Sequence, residues 1–487
     1  MSRKLFLFGI GGTGSRVIKS LTMLLASGVK LENDFEMVLP IIIDPDIRNG
    51  DLIRTKDILR LYQEIRREVN KPINFFSQKI TTINEINDKS ETINPEFFQF
   101  NLEGTRDTTF GDYIDFIKLP HDQGKDDRSF INLLFSEKNL NADLDVGFKG
   151  NPHMGSVVLD QFTRSKDYEK FKGIFNEGDA IFIINSIFGG TGAAGYPLLL
   201  KKLRDEKMFK NAGIGALTVL PYFNLAKKDE INAQSFVHKT VAAIKYYNRT
   251  IIGQNKVNFQ YFIADNNNNV EEYAVGGEDQ KNRAHFVELA GALAILDFCK
   301  NIDQNSSEER KTYIKEFGIE KPQNDVITFK HLSEKDRKLF ARELSKYKLF
   351  TDYLNRRLPK TLGKVRWTKD KFVNLFGKKY VFSPLNKLYF SSVDFEQQVK
   401  KFNDYFEEWL RELTENSPSF SPFYDVDVDR ALSLIKDLGL NIKGGHEKVD
   451  IENNILITNK DIRDGKGKHS VLIKLFDSSL EKMLPEI

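Results

Sequence analysis

Cysteine is nearly absent: Cys299 is the single example in 487 residues. That excludes an intrachain disulfide and points to a reducing, cytoplasmic compartment. Cys299 lies in an apolar helical pattern, where a small buried residue is expected rather than a reactive thiol. No stretch approaches the roughly 20 apolar residues of a membrane span. Met1-Ser2-Arg3-Lys4 followed by Leu5-Phe6-Leu7-Phe8 resembles a secretion signal superficially. The apolar run is too short and ends in glycines, so it reads as a first strand. Charge of one sign is also missing: 72 Lys and Arg face 69 Asp and Glu, a formal net charge of +3. Nothing in that balance implies a nucleic-acid partner. The basic run Lys201–Lys207 is offset by local acids and reads as a solvated helix face.

Glycine, by contrast, is concentrated. Ile181 to Pro197 reads as a buried strand that breaks into the turn Gly189-Gly190-Thr191-Gly192-Ala193 and restarts as a helix from about Gly195 to Arg204. A second turn, Gly9 to Ser15, includes Gly11, Gly12, Thr13 and Gly14. Glycines at a strand-to-helix junction let backbone N–H groups crowd an anion while the helix aims its positive end at the same point. Gly9-x-Gly11-x-x-Gly14 also fits the dinucleotide-binding pattern. Neither turn carries the Lys of a Walker A loop, so backbone dipoles and a metal would have to neutralise a phosphate. A third element, Gly150-Asn151-Pro152 to Gly155, adds turn chemistry. Asp44 and Asp46 end the second strand, where they could contact a ribose, hold Mg²⁺, or simply form a turn around Pro45.

The first half alternates strands and helices. Leu5–Phe8 is a strand, Ser15–Ser27 a helix and Val38–Ile43 a strand, with further strands at Asp179–Ile184, Gly213–Leu220 and Phe259–Ala264. Helical periodicity covers 195–206 and 229–248. This predicts an α/β fold, a parallel Rossmann-like sheet with helices on both faces, whose ligands bind at the carboxyl ends of the strands. Residues 51–145 are polar and read as an insertion in a nucleotide-binding domain spanning 1–282. A core helix occupies 283–300, apolar nearly all round. Residues 301–487 read as a second, C-terminal α+β domain, with an amphipathic helix at Phe395–Leu413 and strands at Ile451–Ile457 and Val471–Phe476.

In order, these loops resemble the tubulin/FtsZ superfamily of GTPases, in a divergent, bacterial-type form. Phe188 to Gly195 is similar to its glycine box, with Phe188 in place of the first glycine and Ala193 in place of a hydroxyl residue. Gly9–Ser15 resembles its first nucleotide loop, Gly150-Asn151-Pro152 the Gly-Ala-Asn-Pro element of its cell-division members and Leu217–Pro221 its fifth loop. Asp44 and Asp46 fall where an acidic pair accompanies the terminal phosphate. Ile231–His238 is similar to the base-contacting segment at Asn232, Ala233, Val237 and His238, and Asn282 opens the long helix. The resemblance implies GTP or GDP with Mg²⁺, phosphates at residues 11–14, 150–151 and 189–193, and Mg²⁺ near Asp44 and Asp46. Guanine would lie between Asn232 and Asn282, whose amides both donate and accept. It also implies self-association, with hydrolysis completed by an acid from a neighbouring subunit.

Two departures qualify the match. The stretch Asn301–Arg337 lacks the family's acidic pattern and offers only Asp325, Glu334 and Asp336, so no catalytic residue is assigned. Position 16 is Arg rather than the usual Asn. Two other readings stand beside the guanine-nucleotide one. An ATP-dependent adenylating enzyme of the ubiquitin-activating type would use Gly9–Ser15, Asp44, Asp46 and Arg54, but leaves the second glycine box unexplained. A non-catalytic interaction protein would use the nucleotide as a switch.

Overall fold

In the computed structural model the described residues are 3–69, 73–89, 92–119, 125–145, 147–148, 150–222, 224–225, 233–265, 270–271, 277, 280–305, 310–317, 325–369, 371–373, 380–382, 384–424, 435–436 and 467–484. Seven strands form one sheet: β1 (Arg3–Ile10), β2 (Phe35–Ile43), β3 (Lys79–Ile80), β4 (Ala180–Ser186), β5 (Gly213–Val219), β6 (Phe259–Ile263) and β7 (Tyr313–Phe317). Their order is β3-β2-β1-β4-β5-β6-β7 and every pairing is parallel. The expected Rossmann-like α/β architecture is therefore present.

Side chains alternate across the sheet. On β1, Leu5 and Leu7 enter one apolar core while Phe6, Phe8 and Ile10 enter the other. On β4, Ala180, Phe182 and Ile184 face the first core, and Ile181 and Ile183 the second. Both faces are covered, which is why the strands read as unbroken apolar runs. The first core receives helices α1 (Gly11–Ala26) and α2 (Gly50–Glu68). The second receives α3 (Pro152–Leu159), α4 (Lys166–Ile174), α5 (Gly190–Asp205) and the end of α6 (Ala233–Tyr247). The apolar helix α7 (Phe286–Asn301) lies against the first face. A methyl group on Gly291 would stand 2.8 Å from Leu217 and 3.1 Å from Val17, so this glycine lets α7 close on β5 and α1.

Several elements depart from expectation. Helices α1 and α5 begin at Gly11 and Gly190, four or five residues before the anticipated starts. Glycine is a poor helix former, but tight packing of these first turns overrides propensity. Residues 51–68, expected to open a polar insertion, belong to α2, whose Leu52, Ile58, Leu59, Leu61, Tyr62 and Ile65 are buried. Strands β3 and β7 were not anticipated. Val471–Phe476, expected as a strand, lies inside helix α10 (Lys468–Met483). A short apolar run has the same signature in a buried strand and a buried helix, and here the run packs against Phe350, Tyr353 and Trp367. Ile451–Ile457 lies outside the described residues.

Among its described residues the C-terminal part is chiefly helical, with α8 (Glu334–Asp352), α9 (Lys401–Glu415) and α10. Its strands are short pairs, Val326–Ile327 with Ser419–Phe420 and Lys371–Val373 with Tyr380–Phe382. The described apolar residues of these helices share one core with α1, α2 and α7. Among the described residues, no helix is long and apolar enough to cross a membrane.

Candidate anion site at the strand ends

Strands β1 and β4 are neighbours, and the chain leaves them in opposite directions, toward β2 and toward β5. That is the switch point of a doubly wound sheet, where a crevice opens outside the strand ends. Helix α1 starts on one side of it and α5 on the other. Neither Ile10 nor Gly189, the residues preceding them, gives a side-chain cap to the first turn. Side chains cap some of the other helices, with Asn49 on α2, Ser165 on α4 and Ser333 on α8, whereas α3, which starts beside the Gly150 loop, α9 and α10 also lack one. No side chain caps the first turns of α1 and α5, and both helix dipoles favour an anion there.

The glycine loops meet physically. A methyl group placed on Gly11 would lie 3.5 Å from Thr191 Cβ and 3.8 Å from the Gly192 nitrogen. One placed on Gly190 would lie 3.1 Å from the nitrogens of both Gly150 and Asn151. The glycines fall into two groups. Gly14 and Gly192 are packed against protein, since a methyl group on them would approach Gly9 C to 2.4 Å and Ser186 O to 2.6 Å. Gly12 and Gly150 face space: the nearest atom to a methyl group on Gly12 is 3.5 Å away, and on Gly150 none lies within 4 Å. The first group closes the turns; the second lines an open cradle that a phosphate could enter. Gly189 precedes this turn, and Thr191 and Ala193 lie in its first helical residues.

Asp44 and Asp46 close the β2 side, both buried. Asp44 Oδ1 accepts from the Asp46 N–H at 3.1 Å, and Asp46 accepts from the N–H groups of Gly277 (2.8 Å) and Arg48 (3.2 Å). Burial pushes the Asp44 carboxyl up to about 7, against the Asp46 N–H bond and Arg16, with the Asp46 charge adding to the rise. Asp46 is raised as well, first by burial, with Asp145 contributing. Two buried carboxylates this close suit a cation that offsets their mutual repulsion. Among the described residues no group of three or more His, Cys, Asp or Glu is set to hold a metal ion alone. Phosphate oxygens or water would have to complete the coordination.

Below the cradle, Arg16 occupies the core side of α1. It donates to Glu288 (2.5 Å), Asp51 (3.2 Å) and the Tyr222 hydroxyl (2.8 Å). Asp51 also binds Arg54, which reaches Glu412 on α9 at 2.6 Å. Burial alone would raise Asp51, but Arg16, Lys19 and Arg54 together hold it below the usual carboxylate range. Asn282 joins this cluster: its side-chain amide donates to Asp51 Oδ2 at 2.8 Å and its N–H at 3.2 Å. Its amide nitrogen is therefore engaged within the protein. Asn232 lies outside the described residues. The helix that follows it, α6, packs on the second core, while α7, which follows Asn282, packs on the first.

Asp325 is exposed, with a positive φ of 55°. Glu334 and Asp336 sit in the first turn of α8, which Lys335 ties to Asp297 near the far end of α7. With about 1.5 Å per residue, the 16 residues of α7 put that end some 24 Å from the start of the helix. Sequence reading passed over Asn49, Gln280 and Lys239. Asn49 donates to Gln280 at 2.6 Å beside Gly12, and Lys239 donates to the Gly150 carbonyl at 3.1 Å. The one advance signal was Asn49 before Gly50-Asp51, a helix-cap pattern. A cavity of about 570 Å³ at the opposite end of the sheet is lined by Arg3, Asp179 and Asp303, among others. Arg3 is paired with Asp303 and Asp179 with Lys4, so these charges are already matched.

Fold and site define a doubly wound parallel-sheet protein in which three glycine loops meet at the switch point. No protein-family model and no curated protein sequence matches the chain. Among solved structures it is similar to the GTPγS-bound protofilament of CetZ2 from Haloferax volcanii, at 12% identity over 63% of this chain and 60% of that one, with a TM-score of 0.31. It is also similar to CetZ from Methanosaeta thermophila, at 14% identity over 63% of this chain and 56% of that one, with a TM-score of 0.28. The chain thus aligns with less than two thirds of either protein's length.

Proposed function

We propose that this chain is a guanine-nucleotide-binding protein of the tubulin/FtsZ type. One observation carries the reading: two helices without capping side chains open into the same crevice between adjacent strands, with a third glycine loop beside them. A single glycine turn would serve a dinucleotide; several converging on one point suit a polyphosphate. The N–H groups of residues 11–14 and 189–193 bind and orient the phosphates, with those of Gly150 and Asn151 on the flank. Asp44 and Asp46 would hold Mg²⁺, which when bound would neutralise charge on the terminal phosphates. Asn232 and Asn282 are the proposed readers of the guanine edge, Asn282 through its amide oxygen because its nitrogen donates to Asp51.

Turnover is a separate matter. Glu334 and Asp336 lie at the end of α8 tied to the far end of α7. An acid placed there reaches a phosphate only on another subunit, so any hydrolysis by that route requires self-association. The adenylating reading needs Arg54 at the phosphates. Arg54 is instead bonded to Asp51, Glu412 and the Asn282 carbonyl. The decisive experiment identifies the nucleotide that co-purifies with the protein, by mass after denaturation. GTP or GDP supports the proposal; ATP or NAD rejects it.

A further inference from the structure

Asn49 and Gln280 meet beside Gly12, and the bonds of the first dictate which way the second faces. Asn49 Oδ1 caps α2, accepting from the N–H groups of Asp51 at 2.9 Å and Leu52 at 3.2 Å. With its oxygen committed, Asn49 has only its NH2 to offer, and Nδ2 donates to Gln280 Oε1 at 2.6 Å. Gln280 therefore presents oxygen to Asn49, and its own NH2 lies on the other side of the carboxamide. Among the described residues that nitrogen has no hydrogen-bond partner, and Gln280 is half-buried.

The backbone holds Gln280 in place. Its N–H donates to the Gly277 carbonyl at 3.1 Å, and its carbonyl accepts from the Asp51 N–H at 3.1 Å. Gly277 accepts from the Gly50 N–H at 3.2 Å and donates to Asp46 at 2.8 Å. Residues 277 and 280 are thus fastened along the loop between β2 and α2, from the buried acids at one end to the cradle at the other. At the cradle end, the Asn49 nitrogen that Gln280 accepts from would stand 3.8 Å from a methyl group on Gly12. Arg16, the other side chain near that point, is held by Glu288 and Asp51. Gln280 keeps an uncommitted donor there.

We infer that Gln280 binds the nucleotide, its carboxamide NH2 donating to an oxygen of the terminal phosphate. This deepens the guanine-nucleotide reading above and rests on it. A neutral donor suits the position, because a lysine or arginine there would pair with Asp46 and compete with the cation that Asp44 and Asp46 would hold. Asn49 is the positioning residue: by spending its oxygen on the α2 cap it fixes which end of the Gln280 carboxamide is left for the ligand.

The test compares wild type, Gln280→Ala and Gln280→Glu in equilibrium binding of guanosine, GDP and GTP with Mg²⁺ present. Gln280→Ala should lower GTP affinity about tenfold, the low end for a hydrogen bond to a charged group. GDP and guanosine should bind nearly as they do to wild type. Gln280→Glu keeps an oxygen for Asn49 but turns a carboxylate oxygen toward the phosphate, so its GTP affinity should fall further than that of Gln280→Ala. A residue that only braced the loop would tolerate Glu better than Ala, and that ranking would overturn the inference. So would undiminished GTP affinity in Gln280→Ala, or an equal loss for GDP or guanosine. If wild type binds no guanine nucleotide, the reading of the site itself fails and this inference with it.

Discussion

Gly14 has no room for a methyl group, and Gly12 has it to spare. At Gly14 the added carbon would stand 2.4 Å from the backbone of Gly9, so Gly14→Ala must prise α1 from the end of β1. The expected cost is about 1–3 kcal/mol, the usual range for overpacking, visible as a lower melting temperature. Gly12→Val places its Cβ near only the ends of Arg16 and Asn49, at 3.5 and 3.8 Å. It should leave the melting temperature near that of wild type and abolish GTP binding. If both variants behave alike, the division into packing and cradle-lining glycines is wrong. The glycine turns were legible in sequence because few other residues can make them. Asn282 was harder to read, since its partner Asp51 lies 231 positions away. No local pattern announces a side-chain pair of that separation. Lys239 carried no signal for the same reason: an exposed lysine on a helix looks like any other until the fold brings Gly150 beside it.

At the scale of elements, the buried cluster of Arg16, Asp51, Glu288, Arg54 and Glu412 ties α1, α2, α7 and α9 together. Arg16→Met would leave Glu288 and Asp51 buried without that guanidinium. A loss of about 3–5 kcal/mol is expected in denaturant unfolding, as for other broken buried pairs. Helix α10 is pinned differently. His469 Nδ1 meets the Tyr389 hydroxyl at 2.7 Å and Nε2 meets Gln398 at 3.1 Å, with Glu68 at 3.8 Å. Burial pulls the imidazole from 6.5 down to about 4, with Lys468 adding to the fall and Asp394 opposing it. As pH drops below 6.5 the unfolded chain takes up the proton first. The stability from neutral His469 is therefore complete above that value and lost as pH falls through about 4. His469→Gln should show a shallower decline over that interval; an unchanged pH profile would refute it. These elements mark the limits of sequence reading. The apolar strands and α7 were plain, because their periodicity is strong over many residues. The start of α1 was hidden by glycine's low helix propensity, and α2 by the charged residues interspersed with its core face. Val471–Phe476 was misread because six apolar-rich residues fit either element.

At the scale of the molecule, a ligand that binds only the folded state must stabilise it. GTP with Mg²⁺ at a hundred times its Kd should add about 2.7 kcal/mol, raising the melting temperature, whereas ATP should not. A rise with ATP instead would favour the adenylating chemistry. The same sheet sets a schedule for biosynthesis. β1 is made before the other strands yet sits inside the sheet, third of seven, and its pairing with β4 joins residues 175 positions apart, as Lys4 and Asp179 illustrate. At about 5–20 residues per second, β1 would wait roughly nine to thirty-five seconds on the ribosome for that neighbour. During the interval the strand that carries the first phosphate turn has one open side, a template for unwanted pairing. The interior position that makes β1 a good floor for the crevice also makes the nascent chain dependent on protection until β4 emerges.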